Sequence, residues 1–148
     1  MDNQDFVNAI LDAKEKQDYG LIAENIPYLK YLGLTVEPDE KVGMIFHIPE
    51  NKKFTGNPVL PALHGGVVGA FMESAALIHL IINQEVERLP KIITFTTDYL
   101  RSARVTDLYA EAFITKPGRR VVNIRVRAWQ EDRSKPVATA NANFLVSE

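Results

Sequence analysis

Glu73 is the one carboxylate in an otherwise apolar or small run, GGVVGAFMESAALIHLII, from Gly65 to Ile82. A buried carboxylate is costly unless it finds a partner or its pKa rises. Chemistry gives it a purpose, as a general base for water or as a nucleophile. The run opens on His64-Gly65-Gly66. A helix starting there presents unpaired backbone N–H groups and a partial positive charge. An N–H of Gly65 or Gly66, aimed at an oxygen that gains negative charge, acts as an oxyanion hole, and glycine leaves room for close approach. His64 is placed to orient the loop or a water rather than to act as the base. Asn57, in the loop before it, adds a side-chain donor or holds a water.

Glu73 lies eight residues beyond Gly65, about 12 Å along a helix that rises about 1.5 Å per residue. A base and an oxyanion donor must both come within about 3 Å of the reacting group. One helix therefore cannot supply both to one substrate. If both act, the second comes from another copy of the chain. The spacing predicts a homodimer with two antiparallel helices side by side and two symmetric shared sites.

These residues need a scaffold. The apolar run predicts a central helix over residues 65–84, preceded by a helical segment over residues 1–30. In that segment Phe6, Ile10 and Ala13 recur at helical spacing, and Pro27 ends or bends a second short helix. Strands are expected over Leu32–Glu37 and Lys41–Ile48 before the central helix. Four more follow it, where the period changes to two. Ile93, Phe95, Thr97 and Tyr99 alternate with Ile92, Thr94, Thr96 and Asp98; Leu108, Ala110, Ala112 and Ile114 share a face. So do Val122, Ile124, Val126 and Ala128, and so do Ala138, Ala140, Ala142 and Phe144. Strict alternation indicates half-buried antiparallel strands. A helix that is apolar nearly all round must be covered. The α+β solution is a curved antiparallel sheet of about six strands wrapped around it, in one domain over residues 1–148.

Composition narrows the function classes. A net charge of −2 gives no case for nucleic acid or membrane binding. The apolar run is long enough to consider as a membrane span, but Glu73, His79 and its three glycines favour a buried core helix. The absence of cysteine excludes disulfides, thiol catalysis and cysteine metal sites, and fits a reducing compartment such as the cytoplasm. The N-terminal MDNQDFVNAILDAKEK is polar and acidic, unlike a signal peptide. Three scattered histidines give no metal site. His79 reads as structural or interfacial, and His47 has no nameable partner.

In order along the chain stand Ile26-Pro27-Tyr28, Leu32-Gly33-Leu34, Gly56-Asn57-Pro58 and Leu63-His64-Gly65-Gly66-Val67. An acid nine positions past the histidine, Tyr99-Leu100-Arg101-Ser102-Ala103, Gly118-Arg119-Arg120 and Val137-Ala138-Thr139-Ala140 complete the series. On these the chain resembles the hotdog-fold thioesterases, in the branch of the phenylacetyl-CoA and 4-hydroxybenzoyl-CoA thioesterases. Glu73 and Ser102 stand where many relatives carry Asp and Pro. The resemblance implies a hotdog fold and hydrolysis of an acyl- or aryl-CoA thioester without a metal or redox cofactor. Coenzyme A enters only as part of the substrate. It assigns the oxyanion hole to Gly65 and implies a homodimer at least, with a homotetramer expected as a dimer of dimers. Arg101, Arg119 and Arg120 are then candidates for the coenzyme A phosphates. Thr94 or Thr96 is a candidate to hydrogen-bond the carboxylate or the water. Phe54, Phe71, Met72 and Tyr99 are candidate pocket walls. Two other classes use the same parts: a hotdog enoyl-thioester hydratase or dehydratase, and a non-catalytic acyl-CoA-binding protein. His64 abutting the helix glycines favours hydrolysis over the first.

Overall fold

The structure is a computed structural model that describes residues 1–85 and 88–147. The chain begins with α1 (Asn3–Lys16). Asp2 caps it by accepting the Asp5 N–H at 2.8 Å, while the Asp5 carboxylate accepts the Asp2 N–H in return. Phe6, Ile10 and Ala13 form its buried stripe. Two short helices follow, α2 (Gly20–Glu24) and α3 (Pro27–Leu32).

Pro27 ends the expected second helix but also starts α3, because a first-turn residue needs no N–H. Gly33, at φ 69°, closes α3 in the left-handed region. The first strand is therefore shorter than expected. Leu32 is helical, and β1 runs Thr35–Asp39. It pairs with β2 (Gly43–Ile48). The loop before the central helix carries a small hairpin that the sequence did not suggest, β3 (Thr55–Asn57) with β4 (Ala62–Leu63).

Helix α4 (Gly65–Asn83) is the central helix, with Gln84 as its C-cap. Then come β5 (Lys91–Tyr99), β6 (Leu108–Pro117), β7 (Val121–Trp129) and β8 (Ala138–Leu145). Six strands make one antiparallel sheet in the order β1-β2-β6-β7-β8-β5. Its inner face buries Phe46 and Ile48 of β2, Leu108 and Ala110 of β6, Val122, Ile124 and Val126 of β7, and Ala138, Ala142 and Phe144 of β8. Against it α4 sets Phe71, Met72, Ile78, Leu80 and Ile81, all fully buried. The alanines of β6 and β8 leave space for a bulky helix surface at native packing density. By length and composition α4 could cross a membrane. Here it is the core of the domain, packed on the sheet.

One face assignment changes. The β5–β8 register shifts between Ile92 and Thr94, placing Ile92 opposite buried Phe144. Ile93 is the extra residue of the bulge, so Ile92 rather than Ile93 shares the inner face with Phe95, Thr97 and Tyr99.

Candidate functional site

The start of α4 is held by its histidine. His64 sits in extended backbone at φ −61°, ψ 129°. Its N–H donates to the Phe54 carbonyl at 2.8 Å, and its carbonyl accepts the N–H groups of Val67 and Val68. The Gly66 N–H donates to His64 Nδ1 at 2.8 Å. A backbone N–H is always the donor, so Nδ1 is the unprotonated nitrogen and a neutral His64 carries its proton on Nε2. This ring caps the helix; it does not have the free basic nitrogen of a general base. Gly56 makes the approach possible, since a Cβ there would lie 2.4 Å from His64 Cα.

That cap separates the two glycines. The Gly66 N–H is engaged by His64. The Gly65 N–H, at the first position of the helix, has no acceptor among the described residues. It is an open donor at the positive end of a 19-residue helix. Asn57 lies close by in β3. Its Oδ1 accepts the N–H groups of Val59 and Leu60 at 3.0 and 3.2 Å. The amide NH₂ is left without an acceptor among the described residues.

Glu73 is half-buried on α4. It has no hydrogen bond or ion pair among the described residues, and burial pushes its carboxyl above the ordinary value. Gly66, Ala70, Glu73 and Leu77 form a strip along α4 that the sheet leaves partly uncovered, although residues on both sides of it are buried. The helix stays regular from Gly65 through Glu73, so the separation of about 12 Å along its axis stands.

Tyr99, at the end of β5, crosses the first turns of α4 and donates from its hydroxyl to the Gly65 carbonyl at 2.7 Å. A Cβ on Gly65 would meet its ring at 3.3 Å, and one on Gly69 its hydroxyl at 3.4 Å. Beside it is a cleft of about 340 Å³ lined by Leu63, Gly65, Val68, Tyr99, Arg101 and Ala103, among others. Arg101 is thus placed near the helix start. Arg119 and Arg120 are not. They lie in the turn between β6 and β7, tied by Ser147 and Val146 to their carbonyls. The register of Lys91 and Val121, both opposite Leu145, sets that turn at the first residue of β5. Arg101 follows the last residue, about 27 Å away at the rise of a strand. One chain does not bring the three arginines together.

Thr94 and Thr96 lie on the wrong face to reach Glu73 within the chain. They pair with Asn143 and Asn141, which point away from α4, and Thr94 Oγ1 accepts from Asn143 Nδ2 at 2.7 Å. The threonine on the helix side is Thr97, opposite Ala140. Its alternation with Phe95 and Tyr99 was the available signal. Of the expected pocket walls, Phe54, Phe71 and Met72 are buried core, and only Tyr99 is exposed.

The other histidines stand apart. His79 is buried, its Nδ1 has no partner among the described residues, and burial lowers its pKa. His47 has a partner that the sequence did not show: Nε2 meets Asp107 Oδ1 at 2.7 Å, and the ring stacks on Tyr109. Among the described residues no three His, Asp or Glu side chains converge as a metal site.

Comparison with known proteins agrees with this architecture. The thioesterase superfamily profile matches residues 60–137, from the β3–β4 hairpin to the start of β8. A crystal structure from Chromobacterium violaceum is 42% identical, covering 94% of this chain and 96% of that one, with a TM-score of 0.77. A Bacillus halodurans protein solved with CoA shares the fold at 17% identity, over 98% of this chain and 93% of that one, with a TM-score of 0.74. The medium/long-chain acyl-CoA thioesterase YigI of Salmonella typhimurium is 27% identical over 95% of this chain and 99% of its own length. The chain belongs to the hotdog-fold thioesterase superfamily.

Proposed function

We propose that the protein is an acyl-CoA thioesterase: acyl-S-CoA and water give a carboxylate and free coenzyme A. The observation that carries this reading is the open Gly65 N–H at the start of α4, on the same helix as a half-buried, unpartnered Glu73. Hydrolysis of a thioester needs both: a donor where the carbonyl oxygen gains charge, and a carboxylate to deprotonate water or attack the carbonyl carbon. The similarity to YigI and to a CoA-bound fold relative supports a coenzyme A ester as substrate.

The two groups meet across a dimer. The strip of Gly66, Ala70, Glu73 and Leu77 packs against its symmetry copy with the helices antiparallel, so that Glu73 faces Gly65 of the partner subunit. The small residues in the strip let the helices approach closely. The same antiparallel arrangement brings the β6–β7 turn of one subunit toward the Gly65 end of the other. Arg101 then joins Arg119 and Arg120 of the partner subunit around the coenzyme A phosphates. His64 contributes its Nε2–H and Asn57 its amide NH₂ as further donors. A dimer is the smallest unit with a complete site, and two dimers form the tetramer.

The test is thiol release from a panel of straight-chain acyl-CoAs, phenylacetyl-CoA and 4-hydroxybenzoyl-CoA, with size-exclusion chromatography to establish the assembly. Turnover on any member by a dimer or larger species supports the reading and names the acyl class. No turnover on the panel, or full activity from a monomer, overturns it.

A further inference from the structure

Tyr99 holds the first turn of α4 from outside the helix. Its hydroxyl donates to the Gly65 carbonyl at 2.7 Å. That carbonyl belongs to the same peptide unit as the Gly66 N–H, which donates to His64 Nδ1 at 2.8 Å. The groups form a continuous chain: Tyr99 O–H to the Gly65 carbonyl, through the amide plane, and from the Gly66 N–H to the imidazole. A bond to the oxygen of an amide polarises it and strengthens the bond its N–H makes. Each step also has a fixed direction. The Gly65 carbonyl and the acceptor nitrogen of His64 cannot donate, so the Tyr99 proton and the Gly66 proton are committed and His64 Nε2 keeps its own.

The ring geometry supports the same role. Within the single chain Tyr99 is 57% exposed, so packing inside the subunit does not account for its position. It lies across the notch left by Gly65 and Gly69, where a side chain at either position would press on the phenol. The open Gly65 N–H is one bond from the Gly65 Cα and shares its turn with the relay. It lies in the neighbouring 64–65 peptide plane, and the Gly66 N–H bond to His64 Nδ1 closes a ring that contains both planes, so holding the 65–66 plane also holds the Gly65 N–H.

We infer that Tyr99 is a positioning residue of the thioesterase site: through the Gly65 carbonyl it fixes the direction of the Gly65 N–H and holds His64 as the Nε2–H tautomer. This rests on the thioesterase reading above. Tyr99 does not touch the reacting atoms in this scheme. It acts on kcat through the helix start, and its effect on substrate affinity is small.

The test is Tyr99→Phe, which keeps the ring in the notch and removes only the donor. Thermal melting serves as the fold control. The ¹H–¹⁵N spectrum of ¹⁵N-labelled protein reads the relay directly, through the Gly66 amide and the His64 ring nitrogens. The expected result is an upfield move of the Gly66 amide proton, a weakened preference of His64 for Nε2–H, and a kcat about tenfold lower with KM within about twofold, the scale of one lost hydrogen bond. Unmoved Gly66 and His64 resonances would overturn the relay whatever the kinetics. Moved resonances with unchanged kcat, on a thioester that wild type hydrolyses, would overturn the positioning role. A wild type that hydrolyses no thioester refutes the thioesterase reading itself and takes the positioning role with it, even where the spectrum shows the relay intact.

Discussion

Gly65→Pro isolates the proposed oxyanion donor. Gly65 is the first residue of α4, where proline fits the helix and its missing N–H is one the helix does not use. His64 before it, at φ −61° and ψ 129°, already occupies the extended region that a residue preceding proline needs. A carbon at the Cβ position would lie 3.3 Å from Tyr99 Cζ, a contact that an exposed ring relieves by a small shift. The substitution therefore deletes the open N–H while the helix start remains. Losing one such donor costs about 2.7–4 kcal/mol of transition-state stabilisation, roughly 10²–10³ in kcat. Glu73→Gln, which removes the base or nucleophile and keeps the shape, lowers kcat by at least about 10².

Mixing the two inactive variants then tests the geometry. If Glu73 of one subunit works with Gly65 of the partner subunit, a heterodimer has one site with both groups intact and one site with neither. Random assembly of equal amounts makes about half of the dimers mixed, so activity returns to about one quarter of wild type, from about 1% or less for either variant alone. The assay is thiol release after co-refolding, with native mass spectrometry to count the mixed dimers. Mixed dimers that stay as inactive as their parents would refute the argument from helix rise. They would mean that each chain supplies its own pair, or that Glu73 is only a buried structural acid.

Burial raises the Glu73 carboxyl above its ordinary 4.5, and a base must be ionised, so kcat/KM rises with pH along a limb displaced above the usual Glu range; an acid limb at the ordinary value would count against Glu73. The stability sign runs the other way. A raised folded pKa stabilises fully below the unfolded value and is lost as pH rises through the folded one, so Glu73→Gln melts at or above wild type at neutral pH, and this advantage disappears in acid. Gly56→Ala would put a carbon 2.4 Å from His64 Cα, forcing the β3 hairpin off the helix start. We expect about 1–3 kcal/mol of destabilisation in a denaturant melt, together with a loss of kcat that a mere surface change would not cause. Glu111, on the outer face of the sheet and 2% exposed, meets Arg127 at 3.2 Å and also Arg133. Glu111→Ala takes the buried carboxylate from two partly exposed guanidinium groups, of which Arg133 keeps Asp39 at 3.5 Å, and costs about 1–3 kcal/mol in unfolding experiments, with kcat/KM of the folded protein unchanged.

What could be read from the chain followed from regular geometry. Val122, Ile124, Val126 and Ala128 alternate because one face of β7 is dry, and they are buried as the alternation requires. The two successive isoleucines at the start of β5 carry no phase, and a bulge between Ile92 and Thr94 decides which one faces in. Helix α3 and the β3–β4 hairpin are too short for any period. They depend on single contacts, Gly33 in the left-handed region and Gly56 against His64. Glu111 alternates with buried alanines and reads as exposed. Its burial depends on Arg133, which returns from the β7–β8 turn.

The candidate site divides along the same line. The distance from Gly65 to Glu73 was legible because the rise of a helix is fixed, and with it the expectation of a second subunit if both groups act. The choice between the two glycines came from the family resemblance alone, because as residues Gly65 and Gly66 are alike until the His64 ring takes one of their N–H groups. Nor was the relation of the arginines, which depends on which end of the sheet each turn occupies. Arg101 and the Arg119–Arg120 pair lie at opposite ends of β5. The inversion of one subunit against another that we propose would unite Glu73 with the Gly65 N–H would also unite these arginines. In the proposed dimer, a single symmetry operation thus resolves two separations that one chain cannot close.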